Sequence, residues 1–328
     1  MMRIAINGLG RIGRIFLKQV LSVSDLEVVA INDLADKENL VYLIEHDSVY
    51  GKFEIPEGKL EKITFLQEKD PAKLPWKDMD IDVVLESTGV FSSYEKSKAH
   101  LDAGAKRVVI SAPVPKEDED AVTFTPNIGI SNIEKSKITS NASCTTGAVN
   151  PVVAILSQGL GIKKAILNTV HGYTATQNLV DGPNKKDYRR GRAAATNIVP
   201  SSTGAAIAAT KAIPELKGKF DGMAMRVPVI SGSIIDLTFV SEKETSVDEV
   251  NNLFKEACEK PEWKEIIKYT ENPLTSTDIL GEPFGSIVDL SMTRVVDGDL
   301  VKVLSWYDNE WGYCAMLIKH IYSLKNYL

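Results

Sequence analysis

The first half of the chain alternates short β-branched runs with stretches whose apolar residues recur at helical spacing. RIAING (3–8), EVVAIND (27–33), DVVLEST (82–88), RVVISA (107–112) and KITSNA (137–142) read as strands. The helical patterns between them make βαβ units, which build a parallel sheet. From the middle onward the texture changes to AILNTV (165–170), GMAMRVPV (222–229), SIIDLTFV (233–240), SIVDLS (286–291) and LVKVLSWYD (300–308). Fewer helical patterns separate these runs, which predicts a mixed or antiparallel sheet with helices on one face. The expected division is a first domain over 1–143 and a second over 144–310, with the C-terminal helical run 311–328 packing back onto the first.

A chain of 328 residues is long enough for about two domains, each with a buried core. Hydrophobic residues at 44%, charged residues at 25% and a net charge of −6 describe a globular protein, with no global basic surface of the kind nucleic acid requires. Cys144, Cys258 and Cys314 are odd in number and far apart, so neither a disulfide framework nor a cysteine-rich metal site is expected, and a reducing compartment is. The opening MMRIAINGLGRIGR lacks a signal core with a cleavage site, and no run approaches the roughly 18 apolar residues of a membrane span. A cytoplasmic protein with no membrane partner is the expectation.

Gly8, Gly10 and Gly13 form a G-x-G-x-x-G pattern that follows the strand RIAIN and opens a helix carrying Ile12, Ile15, Phe16 and Val20 on its apolar positions. Glycines permit the tight turn, and the helix start offers unpaired N–H groups to a pyrophosphate. Asp33 stands at the end of the second strand, about 20 residues on, where a carboxylate binds ribose hydroxyls and repels a 2′-phosphate. Together these features predict a Rossmann-type, doubly wound dinucleotide-binding domain of the α/β class, followed by an α+β domain.

SNASCTTG (140–147) sets Cys144 among small hydroxyl-bearing residues, ahead of the helix-like run VNPVVAIL (149–156). Three readings are open for it: a reactive nucleophile, a metal ligand or a small core residue. A dinucleotide upstream and a thiol at the domain boundary, where small-molecule sites concentrate, point to hydride transfer from a thiol-bound substrate. Of the four histidines, His46 and His100 lie in helix-like or polar segments and His320 in the C-terminal amphipathic run. Only His171 closes a strand (ILNTVH) and opens into a loop, GYTATQNLVDGP. Sequence alone does not place it beside Cys144, and a structural histidine satisfied by its neighbours is the competing reading.

The motifs INGLGRIGR, AINDL, ESTGVF, ISAP, SNASCTT, TVHGYTATQ, VDGP, SSTGAA, RVP and WYDNEWGY occur in this order from end to end. In them the chain resembles the phosphorylating glyceraldehyde-3-phosphate dehydrogenases. The resemblance implies Cys144 as nucleophile and His171 as base and thiolate activator. It further implies glyceraldehyde 3-phosphate and inorganic phosphate held by Ser143, Thr145, Thr174, Thr203, Gly204 and Arg226. It assigns Arg11, Ile12, Thr88, Gly89 and Ser111 to the dinucleotide groove, Asn309 to the nicotinamide carboxamide, and Tyr313 to its vicinity. NAD rather than NADP is implied by Asp33 followed by Leu34 and by Pro183. It also implies a homotetramer, in which the loop after His171 meets a neighbouring subunit, and no metal.

Departures from the family pattern are Gly147 for asparagine, Ala148 for a second cysteine, Asn150 ahead of Pro151, Ile207 for lysine, and RVPVISGSIID for RVPTPNVSVVD. An erythrose-4-phosphate dehydrogenase shares the cysteine but lacks the TATQ run at Thr174 to Gln177. A semialdehyde dehydrogenase acting on acyl phosphates matches SNASCTT and TVHGYTATQ less well. A non-catalytic binding role, with nucleic acid for instance, runs against the acidic charge and the presence of Cys144, His171 and Arg226 together.

Overall fold

The computed structural model describes residues 1–114, 121–129, 133–185 and 187–328. Its contacts divide the chain into two compact units: Met1–Ser143 with Cys314–Leu328, and Cys144–Tyr313. The first is built on a seven-stranded sheet in the order Thr64–Leu66, Leu26–Asn32, Met2–Asn7, Val83–Glu86, Arg107–Ile110, Ile138–Ser140, Ala121–Thr123. Every pairing in it is parallel. Strands such as Val83–Glu86 and Arg107–Ile110 are buried at every position, as a sheet covered on both faces demands. The strand order reverses between Met2–Asn7 and Val83–Glu86. A doubly wound sheet opens a crevice at such a reversal, beyond the carboxyl ends of the strands.

The second unit carries a seven-stranded mixed sheet in the order Val199–Ser202, Phe220–Val227, Ile162–Gly172, Ser233–Ser241, Leu300–Tyr307, Ser286–Val296, Ile267–Thr270. Two pairings are parallel, Ile162–Gly172 with Phe220–Val227 and Ile267–Thr270 with Ser286–Val296. Ser233–Ser241 alternates strictly between buried and half-buried positions, the signature of a sheet with one packed face. Helices Cys144–Leu160, Ala205–Ala212 and Val247–Glu259 pack against this sheet. The predicted fold class is therefore the observed one, an α/β chain with a parallel and a mixed sheet.

The ten strands read from the sequence all form, with their ends shifted by a few residues. The second ends at Asn32, so Asp33 lies just beyond it. Unpredicted within the two seven-stranded sheets are Thr64–Leu66, Ala121–Thr123, Val199–Ser202 and Ile267–Thr270, their four outer edges. At three or four residues these are too short to show a period of two, and an edge strand is under pressure to be short. Val199–Ser202 also contains Pro200, which only an edge tolerates well.

His320, read only as part of an amphipathic run, is fully buried in the first unit. Its Nδ1 lies 3.2 Å from Asn141 Oδ1, its Nε2 lies 2.7 Å from the Thr139 hydroxyl, and its ring stacks on Phe124. Burial lowers its pKa to about 3. The unfolded chain takes up this proton near pH 6.5, so the neutral ring's contribution is complete above that value and is lost as pH falls toward 3. His320→Gln is expected to lessen the loss of unfolding free energy between about pH 7.5 and 5, by about 2 kcal/mol. Urea titrations at the two pH values check this, and equal losses in both proteins would contradict it.

Candidate active site

In the first unit a cleft of about 880 Å³ opens at the strand-order reversal, lined among others by Gly8, Gly10, Asp33, Leu34, Thr88 and Phe91. The glycine turn beneath it is tightly packed. Gly8 has φ +94°, and a Cβ there would lie 2.7 Å from the Thr88 nitrogen, while one on Gly13 would lie 2.2 Å from the Gly8 carbonyl oxygen. Gly10 instead faces open space and caps helix Arg11–Val20 without a side-chain hydrogen bond. Bare backbone at a helix start, with room in front of it, fits a pyrophosphate. Asp33 fixes the turn from the other side, accepting from Leu9 N–H at 2.6 Å and from Ala35 N–H at 3.0 Å. Its carboxylate on the cleft wall suits ribose hydroxyls.

Below the cleft lies a polar cluster that the sequence did not reveal. Glu86, almost fully buried, accepts from Asn7 Nδ2 at 2.6 Å and from Thr88 N–H at 2.8 Å, with His100 Nε2 at 3.0 Å. Trp76 Nε1–H donates to His100 Nδ1 at 3.1 Å, which leaves the imidazole's proton on Nε2, facing Glu86. Asn32 Nδ2 donates to Asn7 Oδ1 at 2.7 Å. The network holds Thr88 in place through a carboxylate whose lone pairs are all directed. Only the position of Glu86 in ESTGVF, directly before Ser87 and Thr88, could have drawn attention to it.

The remaining residues expected at the groove serve its frame. Arg11 pairs with the buried Asp47 at 2.8 Å. The Ile12 carbonyl accepts from Cys314 Sγ. Gly89 turns with φ +71°, and Ser111 donates to the Glu86 carbonyl at 3.0 Å.

The second unit begins at Cys144, the first residue of helix Cys144–Leu160. The turn before it is strained, because Ala142 holds φ +55°, a left-handed value that costs a residue with a Cβ roughly 1–2 kcal/mol. Cys144 Sγ lies 3.4 Å from His171 Nε2. His171 is the penultimate residue of Ile162–Gly172, whose parallel pairing sets it directly beside Arg226 on Phe220–Val227. Arg226 Nη1 lies 2.7 Å from His171 Nδ1 and donates to the Gly172 carbonyl at 3.2 Å. Cysteine, histidine and arginine thus form one line of contacts.

Burial pushes the Cys144 thiol up, against the pull of the Arg226 charge and of hydrogen bonds from Thr145. Burial and then the Arg226 charge lower His171 to about 3. Desolvation also lowers Arg226. The resting pair is accordingly a neutral thiol against a neutral imidazole. The helix start favours negative charge on the sulfur once the proton moves.

Tyr307, which the sequence reading passed over, joins this cluster. Its hydroxyl lies 3.0 Å from Thr145 Oγ1 and 2.8 Å from Thr169 Oγ1, and its ring meets His171 edge-on. Burial raises its pKa, so it stays a neutral hydrogen-bonding phenol. Asn309 accepts through Oδ1 from Gly232 N–H and from the Ser233 hydroxyl, which fixes the orientation of its amide. Tyr313 is buried and bonds through its N–H to the Asp308 carbonyl.

Ser143 directly precedes Cys144 in the chain. Thr174 Oγ1 lies 2.9 Å from Thr176 Oγ1 in the loop beyond His171. Thr203 Oγ1 accepts from Ala205 N–H, and Gly204 caps helix Ala205–Ala212. Because Val199 faces Arg226 and Ser202 faces Met223, Thr203 and Gly204 leave the sheet three residues along from Arg226. Nothing in the structure explains Gly147, since a Cβ there would meet no atom within 4 Å.

Comparison with known proteins places both units. Residues 2–94 match the family described as glyceraldehyde 3-phosphate dehydrogenase, NAD binding domain, and residues 143–309 match its C-terminal domain. The chain is 46% identical to a glyceraldehyde-3-phosphate dehydrogenase of Clostridium pasteurianum over 97% of both chains. It is 46% identical to one of Mycobacterium tuberculosis, and 44% identical to glyceraldehyde-3-phosphate dehydrogenase B of Aspergillus oryzae, over 96% of each chain.

Proposed function

The chain belongs to the glyceraldehyde-3-phosphate dehydrogenase family of NAD-dependent oxidoreductases, and from that premise we propose that it converts glyceraldehyde 3-phosphate and inorganic phosphate to 1,3-bisphosphoglycerate through a thioester on Cys144. The observation that carries this reading is the contact of Cys144 Sγ with His171 Nε2 at 3.4 Å, with Arg226 behind it.

The Cys144 sulfur attacks the aldehyde carbon as its proton passes to His171 Nε2; a carbon–sulfur bond forms and the carbonyl π bond opens. The Cys144 backbone N–H, at the start of a helix, and the protonated His171 hold the resulting oxygen anion, which takes up the proton as a hemithioacetal. His171 then removes the hydroxyl proton as the carbonyl re-forms into a thioester. NAD, when bound, supplies the hydride acceptor for that oxidation. Gly8, Gly10, Asp33 and Thr88, which line or border the cleft of the first unit, suit its pyrophosphate and ribose. His171 sheds the proton to solvent. A phosphate oxygen attacks the thioester carbon, the carbon–sulfur bond breaks, and Cys144 leaves as thiolate.

Arg226 suits the substrate's phosphate as a planar donor, while Ser143, Thr145, Thr174, Thr203 and Gly204 supply hydroxyl and N–H groups for substrate and inorganic phosphate. Loss of one charge-assisted contact in Arg226→Ala is expected to cost about 1.5–3 kcal/mol in kcat/KM for the phosphorylated aldehyde. A homotetramer in the cytoplasm completes the reading. In the segment after His171, Leu179 (78% exposed), Val180 (71%) and Ile198 (70%) present apolar surface that a neighbouring subunit would cover.

The test is direct: purified protein given glyceraldehyde 3-phosphate, NAD and phosphate is expected to form NADH continuously only when all three are present. Turnover of erythrose 4-phosphate in preference would favour the other dehydrogenase, and no phosphate-dependent NADH would overturn the assignment.

A further inference from the structure

His171 Nδ1 has two neighbours that make opposite demands on it. Gly172 O, an acceptor, lies at 2.7 Å, and Arg226 Nη1, which can only donate, lies at 2.7 Å as well. A neutral imidazole carries one proton. If Arg226 donates to Nδ1, that nitrogen is bare, the proton sits on Nε2, and Nε2–H points at Cys144 Sγ. In this form the ring donates to the sulfur and has no lone pair with which to take the thiol proton. If Nδ1–H donates to Gly172 O instead, Nε2 presents its lone pair to the thiol and is a base. The second form sets N–H against N–H across 2.7 Å, so it requires the guanidinium to withdraw.

We propose that the phosphate of the substrate switches the tautomer of His171 by drawing Arg226 away from Nδ1. This rests on the reading above in which Arg226 receives that phosphate. In the free enzyme the two hydrogens of Arg226 Nη1 serve His171 Nδ1 and Gly172 O, and the base is idle. A phosphate dianion offers the guanidinium stronger, charge-assisted bonds. As it turns to them, one proton leaves Nε2 and one arrives at Nδ1 through solvent exchange, with no net change in protonation. Pairing with the dianion also offsets the positive charge that depresses the imidazole's basicity. Substrate recognition and activation of the nucleophile are then a single event, and an aldehyde without the phosphate loses kcat as well as affinity.

The four histidines make the tautomer directly readable in the full chain labelled with ¹⁵N-histidine, with His171→Asn assigning the signals. Glycerol 3-phosphate, a phosphate monoester with no aldehyde, serves as the probe. Without it, Nδ1 is expected at the frequency of a bare nitrogen and Nε2 at that of a protonated one; with it, the two exchange. Arg226→Ala, which removes the competing donor, is expected to show Nδ1–H from the start and not to respond to the ester. Calorimetric binding with an unchanged tautomer, or Nδ1–H already present in the free wild type, would overturn the switch alone. Failure of the ester to bind, or binding that Arg226→Ala leaves intact, would overturn the phosphate-recognition reading beneath it.

Discussion

Cys144→Ser is expected to lower phosphate-dependent NADH formation by roughly 10⁴-fold or more, the scale on which covalent catalysts lose activity when the nucleophile is removed. Both halves of the reaction suffer. A serine hydroxyl placed against a neutral imidazole adds to an aldehyde poorly, because its proton is far harder to remove than that of a thiol. An oxygen ester, if it formed, would be less reactive toward phosphate than a thioester, and the alkoxide is a poor leaving group. The fold itself is not at stake, since the substitution exchanges one small side chain for another at the first turn of a helix. Steady-state rates of variant and wild type with all three substrates, together with matching circular dichroism spectra, provide the check. Activity within tenfold of wild type would place the nucleophile elsewhere.

His171→Asn is the second large effect. General acid–base groups contribute on the order of 10²–10⁴-fold, and here one ring serves both addition and oxidation, so kcat is expected to fall by about that range. The KM for the aldehyde should move only a few-fold, because phosphate recognition rests on Arg226. Affinity for NAD should also hold, because the glycine turn and Asp33 belong to the other unit. Stopped-flow and steady-state kinetics separate these quantities. A variant with unchanged kcat and a raised KM would make His171 a binding residue only.

The sequence disclosed the parts of the candidate site unevenly, for physical reasons. The glycine turn was legible because strand, tight turn and helix start are local, and Asp33 was legible because a parallel βαβ unit brings its second strand end back beside the first. The core strands showed themselves through long β-branched runs. The four edge strands did not, since three or four residues with a single neighbour impose too little pattern. Cys144 stood out by its setting, but its contact with His171 depends on how the helix start meets the sheet. The contact of His171 with Arg226 depends on a parallel register across 55 residues of chain. Family resemblance named all three residues; only coordinates placed Arg226 on the nitrogen that decides the tautomer.

What stayed hidden is buried and polar. Glu86, His100, Trp76 and Tyr307 act through hydrogen bonds made in the folded interior, and their types carry no spacing rule. His100 looked like a polar helix residue and His320 like part of an amphipathic stripe, yet both are fully buried. The strain at Ala142 was equally silent, because alanine in sequence gives no hint of a left-handed backbone.

The central claim is the covalent thioester on Cys144, and one measurement meets it head-on. Enzyme mixed with NAD and glyceraldehyde 3-phosphate without inorganic phosphate, then acid-quenched and digested, is analysed by mass spectrometry for the peptide containing Cys144. The account predicts a 3-phosphoglyceroyl adduct on that cysteine, formed with about one NADH per active site and discharged when phosphate is added before the quench. NADH formed with Cys144 unmodified, or an adduct on Cys258 or Cys314 alone, would contradict it.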